Sequence, residues 1–413
     1  MTSAVVSKKI CVVGLGYVGL PLACAFAKSN YEVVGYDVSE ARIAGLNRGD
    51  DRTGEITKTI LNELSSKLTF SSDSNVIGNS DIIIVAVPTP IKGDNTPDLE
   101  PLITATKILA ANLKHGSTVV YESTVFPGAT EEICVPLIEA ETGFRLNADF
   151  YVGYSPERIN PGDKVNKLEN IIKIVSGSNI KTLRLLEQIY GDIVDAGIHS
   201  APSIKVAEAA KITENIQRDV NIALINELHQ IFSLMNINTM EVITAASTKW
   251  NFMRVEPGLV GGHCIGVDPH YLIYKSIGHG HVPNLMRNAR EINEGMSTWV
   301  VNNFLQFCQI NRINLLDKTV TIMGYTFKKN CPDSRNTKVD SILKSLERLG
   351  IKTYIWDPYL DISDRERLKV DGLIVNELPP QNIEVGMLCV QHDLIMNYLG
   401  SDLANIFDFT DVY

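Results

Sequence analysis

The sequence predicts an α/β fold in which two doubly wound domains are joined by a long central helix and a helical region. Three observations carry this prediction. Short apolar runs alternate with stretches of helical spacing from residue 9 to about residue 200. From about Ser203 to Ser233 the chain has helical periodicity, few glycines and no strand signal. Strand–helix alternation then resumes at Thr319. Alternation of this kind implies parallel strands covered by helices on both faces.

The elements follow in order. Lys9–Val13 (KICVV) is an apolar run that stops at a glycine, residues 18–28 have helical apolar spacing, and Glu32–Tyr36 (EVVGY) ends at Asp37. Strand, glycine turn, helix and strand in about thirty residues make one βαβ unit. Further strands are expected at Asp81–Val87, Thr118–Tyr121 and Phe150–Gly153. A helical region continues to about residue 310, interrupted by a Gly/Pro-rich segment at 257–269. The last part reads as a strand at Thr319–Gly324, a helix from about Thr337 to Leu349, and strands at Lys352–Trp356 and Met387–Gln391. Both the first and last lobes therefore read as Rossmann-like, with expected domains at 1–200, 201–312 and 313–413. The last lobe lacks GxGxxG and is expected to hold no second dinucleotide.

Composition narrows the class. The 413 residues are 45% hydrophobic and 21% charged, which suits a globular chain with ample core. Lys and Arg total 38 against 48 Asp and Glu, a net charge of -10, with no basic block. Such a surface repels phosphate backbones, so no nucleic-acid partner is expected. Seven cysteines without a CxxC pair suggest a reducing compartment and no metal site. No apolar run reaches the roughly 18 residues of a membrane span, so a cytoplasmic protein with no membrane partner is expected.

Gly14-Leu15-Gly16-Tyr17-Val18-Gly19 matches GxGxxG, follows a strand and opens a helix. Asp37 follows at a strand end. That context identifies a dinucleotide site. Gly14 permits the tight turn, Gly16 lets a pyrophosphate approach the backbone, and Gly19 lets the helix pack on the strand. The helix N-terminus, including Tyr17 and Val18, then faces the phosphates. Asp37 should accept hydrogen bonds from ribose hydroxyls, which favours NAD over NADP. Arg42 either covers the adenine face or is a solvated charge. Thr89 and Thr124, at strand ends, are placed to touch the inner half of the cofactor, although such hydroxyls also cap helices.

Two constellations carry the chemistry. Cys264 lies among glycines in PGLVGGHCIGVDP, with His263 before it and Asp268 four residues on. Cys11, Cys24, Cys134, Cys308, Cys331 and Cys389 show no reactive context, and His263 reads as structural. In AEAAKITENIQRD, Lys211, Asn215 and Arg218 fall at i, i+4 and i+7, on one helix face within about 40°. Glu208 joins that stripe. The plainer alternative is a solvated face with a Glu–Lys pair. The chemical reading gives a dehydrogenase with a thiol: an alcohol loses a hydride, the thiolate attacks the aldehyde, a second hydride leaves a thioester, and water releases a carboxylate. Two NAD⁺ are consumed per product. Lys211 and Asn215 would hold the oxygen that carries charge, and Asp268 would handle protons.

GLGYVGLPLA, YESTVFPG, YSPERINPG, AEAAKITEN, PGLVGGHCIGVDPHYL and GYTFKKNCPDSR occur in order along nearly the whole chain. Together they resemble the UDP-glucose/GDP-mannose dehydrogenase family. SPERINPG and WNF…PGLVGGHCIGVDP look most like its bacterial UDP-N-acetylhexosamine 6-dehydrogenases of capsule and O-antigen pathways. Val267 stands where UDP-glucose dehydrogenases carry a lysine. Trp250-Asn251-Phe252 departs from the His-Pro-Arg of N-acetylmannosamine relatives, leaving the gluco and galacto epimers open.

The resemblance implies roles by position. Cys264 matches the nucleophile, Lys211 and Asn215 the oxyanion pair, and Asp268 the acid/base. Glu157 matches a glutamate beside the reacting carbon, and Thr124 a residue near the nicotinamide. Arg158, Arg218, Phe252, Gly261, Phe327 and Lys328 resemble UDP-sugar contacts, and Arg335 resembles an arginine that reaches NAD. The central domain would form a homodimer and the last would bind UDP. Other readings stand beside this one: a UDP-N-acetylmannosamine or UDP-glucose 6-dehydrogenase, a two-electron dehydrogenase of the 6-phosphogluconate or hydroxyacid type, and a nucleotide-sensing protein without catalysis.

Overall fold

The computed structural model describes residues 8–159, 167–262, 264–371, 373–376, 379–380, 382–400 and 405–411. His263 and the end of the SPERINPG segment lie outside the described residues. The chain folds as two compact units. One comprises residues through Glu214 with His270–Gly278, and the other Asn215–Pro269 with the chain from His279 onward. A 31-residue helix, Ile204–Leu234, runs from the first unit into the second.

The first unit is built on an eight-stranded sheet. Its strands are β1 (Lys9–Val13), β2 (Glu32–Tyr36), β3 (Leu68–Ser71), β4 (Ile82–Val85), β5 (Thr118–Tyr121), β6 (Tyr151–Tyr154), β7 (Lys173–Gly177) and β8 (Ile198–Ser200), in spatial order β3-β2-β1-β4-β5-β6-β7-β8. β4 (IIIV) and β5 (TVVY) are buried at every residue, as central parallel strands must be when helices cover both faces. Ile10, Val12, Ile82, Ile84 and Val120 pack with Leu20, Leu22 and Phe26 of the helix Gly19–Lys28. The expected wholly parallel sheet needs one correction, because β7 pairs antiparallel to β6. The expected strand at 81–87 is shorter, and that at 150–153 starts and ends one residue later.

The second unit carries β9 (Thr319–Met323), β10 (Lys352–Trp356), β11 (Ile374–Asn376), β12 (Val385–Leu388) and β13 (Ile406–Asp408), all parallel, in order β11-β10-β9-β12-β13. β12 begins and ends earlier than the expected 387–391. Val320, Ile322, Ile355 and Met387 pack with Ile342 and Leu346 of the helix Val339–Arg348 and with Val300 and Phe304 of the helix Asn284–Ile310. The two doubly wound units and the long central helix match the expected architecture.

Both sheets open with the same turn. The Gly14 N–H donates to the Tyr36 carbonyl at 2.8 Å and the Leu15 N–H to Asp37 Oδ2 at 2.9 Å. The Gly324 N–H likewise donates to the Trp356 carbonyl at 3.0 Å, and the Tyr325 N–H to Asp357 Oδ2 at 2.6 Å. A strand-end carboxylate thus anchors each first turn.

Gly19 is fixed by space. A Cβ there would stand 1.8 Å from the Gly14 carbonyl oxygen, whereas one on Gly16 would meet nothing within 4 Å. Gly19→Ala should therefore lower unfolding free energy by about 2 kcal/mol or more, and Gly16→Ala should stay within about 1 kcal/mol of the parent. Urea unfolding of the two variants checks this.

Candidate active site

At β1 the strand order reverses between β2 and β4, so the carboxyl ends of β1 and β4 flank a topological switch point, where open α/β sheets bind ligands. The helix Gly19–Lys28 has no side-chain cap at its start, so its leading N–H groups remain for an anion. Gly16 is exposed, and Tyr17 and Val18 are half-buried beside it. Asp37 is held by the N–H groups of Leu15 and Ser39, each at 2.9 Å. This uncapped turn beside a fixed carboxylate fits the pyrophosphate and ribose of a dinucleotide. Thr89 is buried and Thr124 half-buried.

Arg42 corrects one expectation, for it is no solvated charge. It is 3% exposed. Its Nε donates to the Leu15 carbonyl at 2.8 Å, and a terminal guanidinium nitrogen lies 2.7 Å from Asp51. The side chain thus ties the glycine turn to Asp51.

Glu157 follows β6. Its Oε1 accepts the N–H groups of Arg158 at 2.6 Å and Ile159 at 2.5 Å. Arg158 is turned to Glu214 at 2.8 Å and to the Ile172 carbonyl at 2.7 Å.

The stripe on the central helix divides. Glu208, Lys211 and Asn215 are buried, whereas Arg218 is exposed. The solvated-face alternative fails for the first three. Glu208 also makes bonds other than the Glu–Lys pair of that alternative. Its carboxylate accepts the Gly128 N–H at 2.5 Å and the Thr130 N–H at 2.9 Å. Burial pushes its carboxyl up to about 7, against those two donors.

In the second unit, Asn215 Nδ2 donates to Asp268 Oδ2 at 2.5 Å. Asp268 opens the helix Asp268–Gly278. The Cys264 carbonyl accepts the N–H groups of Asp268 at 2.8 Å and Val267 at 3.1 Å. Cys264 is exposed and the other six cysteines are buried. Burial pushes the Cys11, Cys24 and Cys134 thiols up to about 12, which keeps them protonated at neutral pH. Gly262 has φ +78°, and a Cβ on it would lie 2.9 Å from the Phe327 ring. One on Gly261 would lie 2.9 Å from the Asn336 carbonyl oxygen. The Gly262 N–H donates to the Arg335 carbonyl at 3.1 Å. The cysteine loop is thus brought against Phe327 and Arg335, two residues the sequence also singled out. Phe252 and Lys328 are half-buried, and the Arg335 guanidinium pairs with Asp333 at 2.6 Å.

Sequence reasoning missed two buried clusters. In the first unit Lys173 joins Glu122 and Glu157. In the second, His392 Nδ1 accepts the Asn330 N–H at 2.8 Å, leaving Nε2 to face Asp357 at 3.1 Å and Thr326 at 3.0 Å. Burial pushes Asp357 up, but His392 and the N–H groups of Thr326 and Tyr325 outweigh it and hold the carboxyl below its usual range. His392 follows no strand-end rule. The lysine that opens the apolar run KIVSG was the available signal for the first cluster.

A glycine turn under an uncapped helix, with a fixed carboxylate at the next strand end, is the arrangement of a dinucleotide-binding domain. The UDP-glucose/GDP-mannose dehydrogenase family matches through its NAD-binding domain at residues 8–194, its central domain at 205–295 and its UDP-binding domain at 321–410. The chain belongs to this family and is an NAD-dependent nucleotide-sugar 6-dehydrogenase. It is 49% identical over 356 residues to the UDP-N-acetyl-D-glucosamine 6-dehydrogenase of Pseudomonas aeruginosa, covering 86% of this chain and 84% of that protein. It is 47% identical over 395 residues to the enzyme of the same name from Salmonella typhi, covering 96% and 92%. Among solved structures, the UDP-D-ManNAc dehydrogenase of Pyrococcus horikoshii aligns with a TM-score of 0.85 at 29% identity, covering 97% of this chain and 93% of the other. Among the described residues no helix is long and apolar enough to cross a membrane.

Glu208 gives a pH test. Its folded carboxyl sits at about 7, above the ordinary value of 4.5, so the folded state binds more protons between those limits. Its contribution is fully present below about pH 4.5 and is lost as pH rises through about 7. Glu208→Gln should flatten this decline in unfolding free energy, measured by urea titrations from pH 4.5 to 8. An unchanged slope would contradict the assignment.

Proposed function

We propose that the chain oxidises the C6 hydroxymethyl of a UDP-N-acetylhexosamine, of gluco or galacto configuration, by four electrons to the uronic acid. The observation that carries the reading is the exposed Cys264 in a loop whose own Asp268 holds Asn215. The names of the two bacterial relatives support the glucosamine substrate. The Trp250-Asn251-Phe252 segment supports exclusion of the manno epimer.

NAD supplies the hydride acceptor. Gly14, Gly16, Tyr17, Val18 and Gly19 would hold its pyrophosphate and Asp37 its ribose, with Thr89, Thr124 and Arg335 as further contacts. The Cys264 thiolate adds to the C6 aldehyde, forming a C–S bond and an oxyanion. Lys211 and Asn215, one turn apart on the central helix, donate to that oxygen. Cys264 thus carries the carbon as a thiohemiacetal between the two oxidations and as a thioester once the second hydride has left. Glu157 accepts a proton from the water that attacks the thioester, and the C–S bond breaks to return the thiolate and release the carboxylate. Asp268 orients Asn215 and exchanges protons with the oxygen. Arg158, Arg218, Phe252, Gly261, Phe327 and Lys328 would hold the nucleotide sugar.

The same reading makes the protein a cytoplasmic homodimer that serves surface-polysaccharide synthesis. Leu224, Ile231 and Leu234, exposed on the central helix, support the dimer.

An NADH assay over a panel of UDP-sugars tests the proposal. Two NADH per UDP-N-acetylglucosamine or UDP-N-acetylgalactosamine are expected, and Cys264→Ala should lower that turnover by about 10³-fold or more. One NADH per sugar would favour the two-electron alternative. Near-normal two-NADH turnover by Cys264→Ala would overturn the covalent route.

A further inference from the structure

Because β7 runs antiparallel to β6, its first residue lies at the sheet edge where β5 and β6 end. That residue is Lys173. A lysine opening a parallel strand would sit at the opposite edge, away from ligands. Here its ammonium lies 2.8 Å from Glu122 Oε2, just past β5, and 3.5 Å from Glu157 Oε2, just past β6. Tyr190, on the helix Ile180–Gly191, donates to Glu122 Oε1 at 2.5 Å. Glu122 is 1% exposed, Lys173 2% and Glu157 8%.

The bonding is unequal. Glu122 has a donor on each oxygen. Glu157 Oε1 has two backbone donors, while among the described residues nothing donates a hydrogen bond to its buried Oε2. The neighbouring Arg158 guanidinium is spent on Glu214 and the Ile172 carbonyl. The cation that reaches the open oxygen is therefore Lys173. Two buried carboxylates share one ammonium. Burial pushes Glu122 up; it also pushes Lys173 down, but the two carboxylates outweigh that and raise it.

We infer that Lys173, anchored by Glu122 and Tyr190, is a positioning residue for Glu157: its ammonium holds the carboxylate from the Oε2 side and offsets its charge inside the protein. The inference rests on the proposed role of Glu157 as the base in the uronate-forming reaction. Lys173 touches no reacting atom in this account. Its action is electrostatic, so its removal and the removal of Glu122 have opposite signs.

The experiment is the pH dependence of kcat for uronate formation in the full-length enzyme, compared across Lys173→Met, Glu122→Gln and the double variant. Without the ammonium, ionising Glu157 would place a second uncompensated negative charge beside Glu122. The acidic limb of the profile should then move to higher pH, by about one unit or more. With Glu122 neutral the ammonium serves Glu157 alone, and the limb should move to lower pH. The double variant should fall between the singles, near the parent. Urea unfolding gives a readout independent of turnover: Lys173→Met should unfold more readily than the double variant, because it strands a buried carboxylate.

Shifts of one sign in both singles, or limbs that do not move while stability falls, would leave only a packing role and overturn the inference. If Lys173→Met does not fold, the Glu122→Gln limb decides alone, and a shift to higher pH or none refutes it. A parent enzyme that makes no NADH with any UDP-sugar would instead remove the functional reading beneath it.

Discussion

The Cys264 carbonyl accepts two consecutive N–H groups, from Val267 and Asp268, and the chemistry proposed for this chain depends on that turn. It leaves the cysteine side chain exposed one turn ahead of the helix Asp268–Gly278. It also fixes Asp268 at the helix start, where a carboxylate is favoured by the helix dipole. Asp268 is 3% exposed, and Asn215 meets it at 2.5 Å. The loop is therefore tied down on both sides of the thiol. Upstream, Gly262 lies where the Phe327 ring leaves no room for a Cβ, and its N–H is held by the Arg335 carbonyl. A nucleophile needs exposure and a fixed position together, and a loop pinned by backbone hydrogen bonds provides both.

The two sheets show one turn put to two uses. Asp37 and Asp357 each end the second strand of their sheet and each hold the first turn through N–H groups. Asp37 stands beside an uncapped helix, so its surroundings suit a ribose and a pyrophosphate. Asp357 is fully buried, and His392 fills the position beside it. The same histidine takes the Asn330 N–H and faces Thr326, which fixes the loop carrying Phe327 and Lys328.

Much of this was legible in the sequence, for local reasons. β1, β2, β5 and β10 begin and end where their apolar runs do, and the central helix ran within one residue of its expected span. Gly14 and Gly19 were legible because turn and packing each demand glycine at a fixed spacing, and the place of Asp37 because its strand ends there. The direction of β7 was not, since KIVSG reads the same in a parallel or antiparallel strand. β8 and β11 are three residues long and carry too little pattern. Arg42 looked like surface because its partner Asp51 and the Leu15 carbonyl are brought to it only by the fold. Glu122 and Lys173 are 51 residues apart, and only the reversed strand makes them neighbours. Arg218 kept the helical spacing of the stripe yet lies exposed, because burial along a long helix changes with what packs on each turn.

The most direct test of the central claim is the rate of thiol alkylation at each cysteine, followed by peptide mass spectrometry with and without a saturating UDP-sugar. Six cysteines are buried, so Cys264 should be labelled first in the native enzyme, and UDP-N-acetylglucosamine or its galacto epimer should slow that labelling by about tenfold or more. Labelling of Cys264 at the same rate with and without a nucleotide sugar that is turned over would contradict the account, because the thiol would then lie outside the site where the sugar binds.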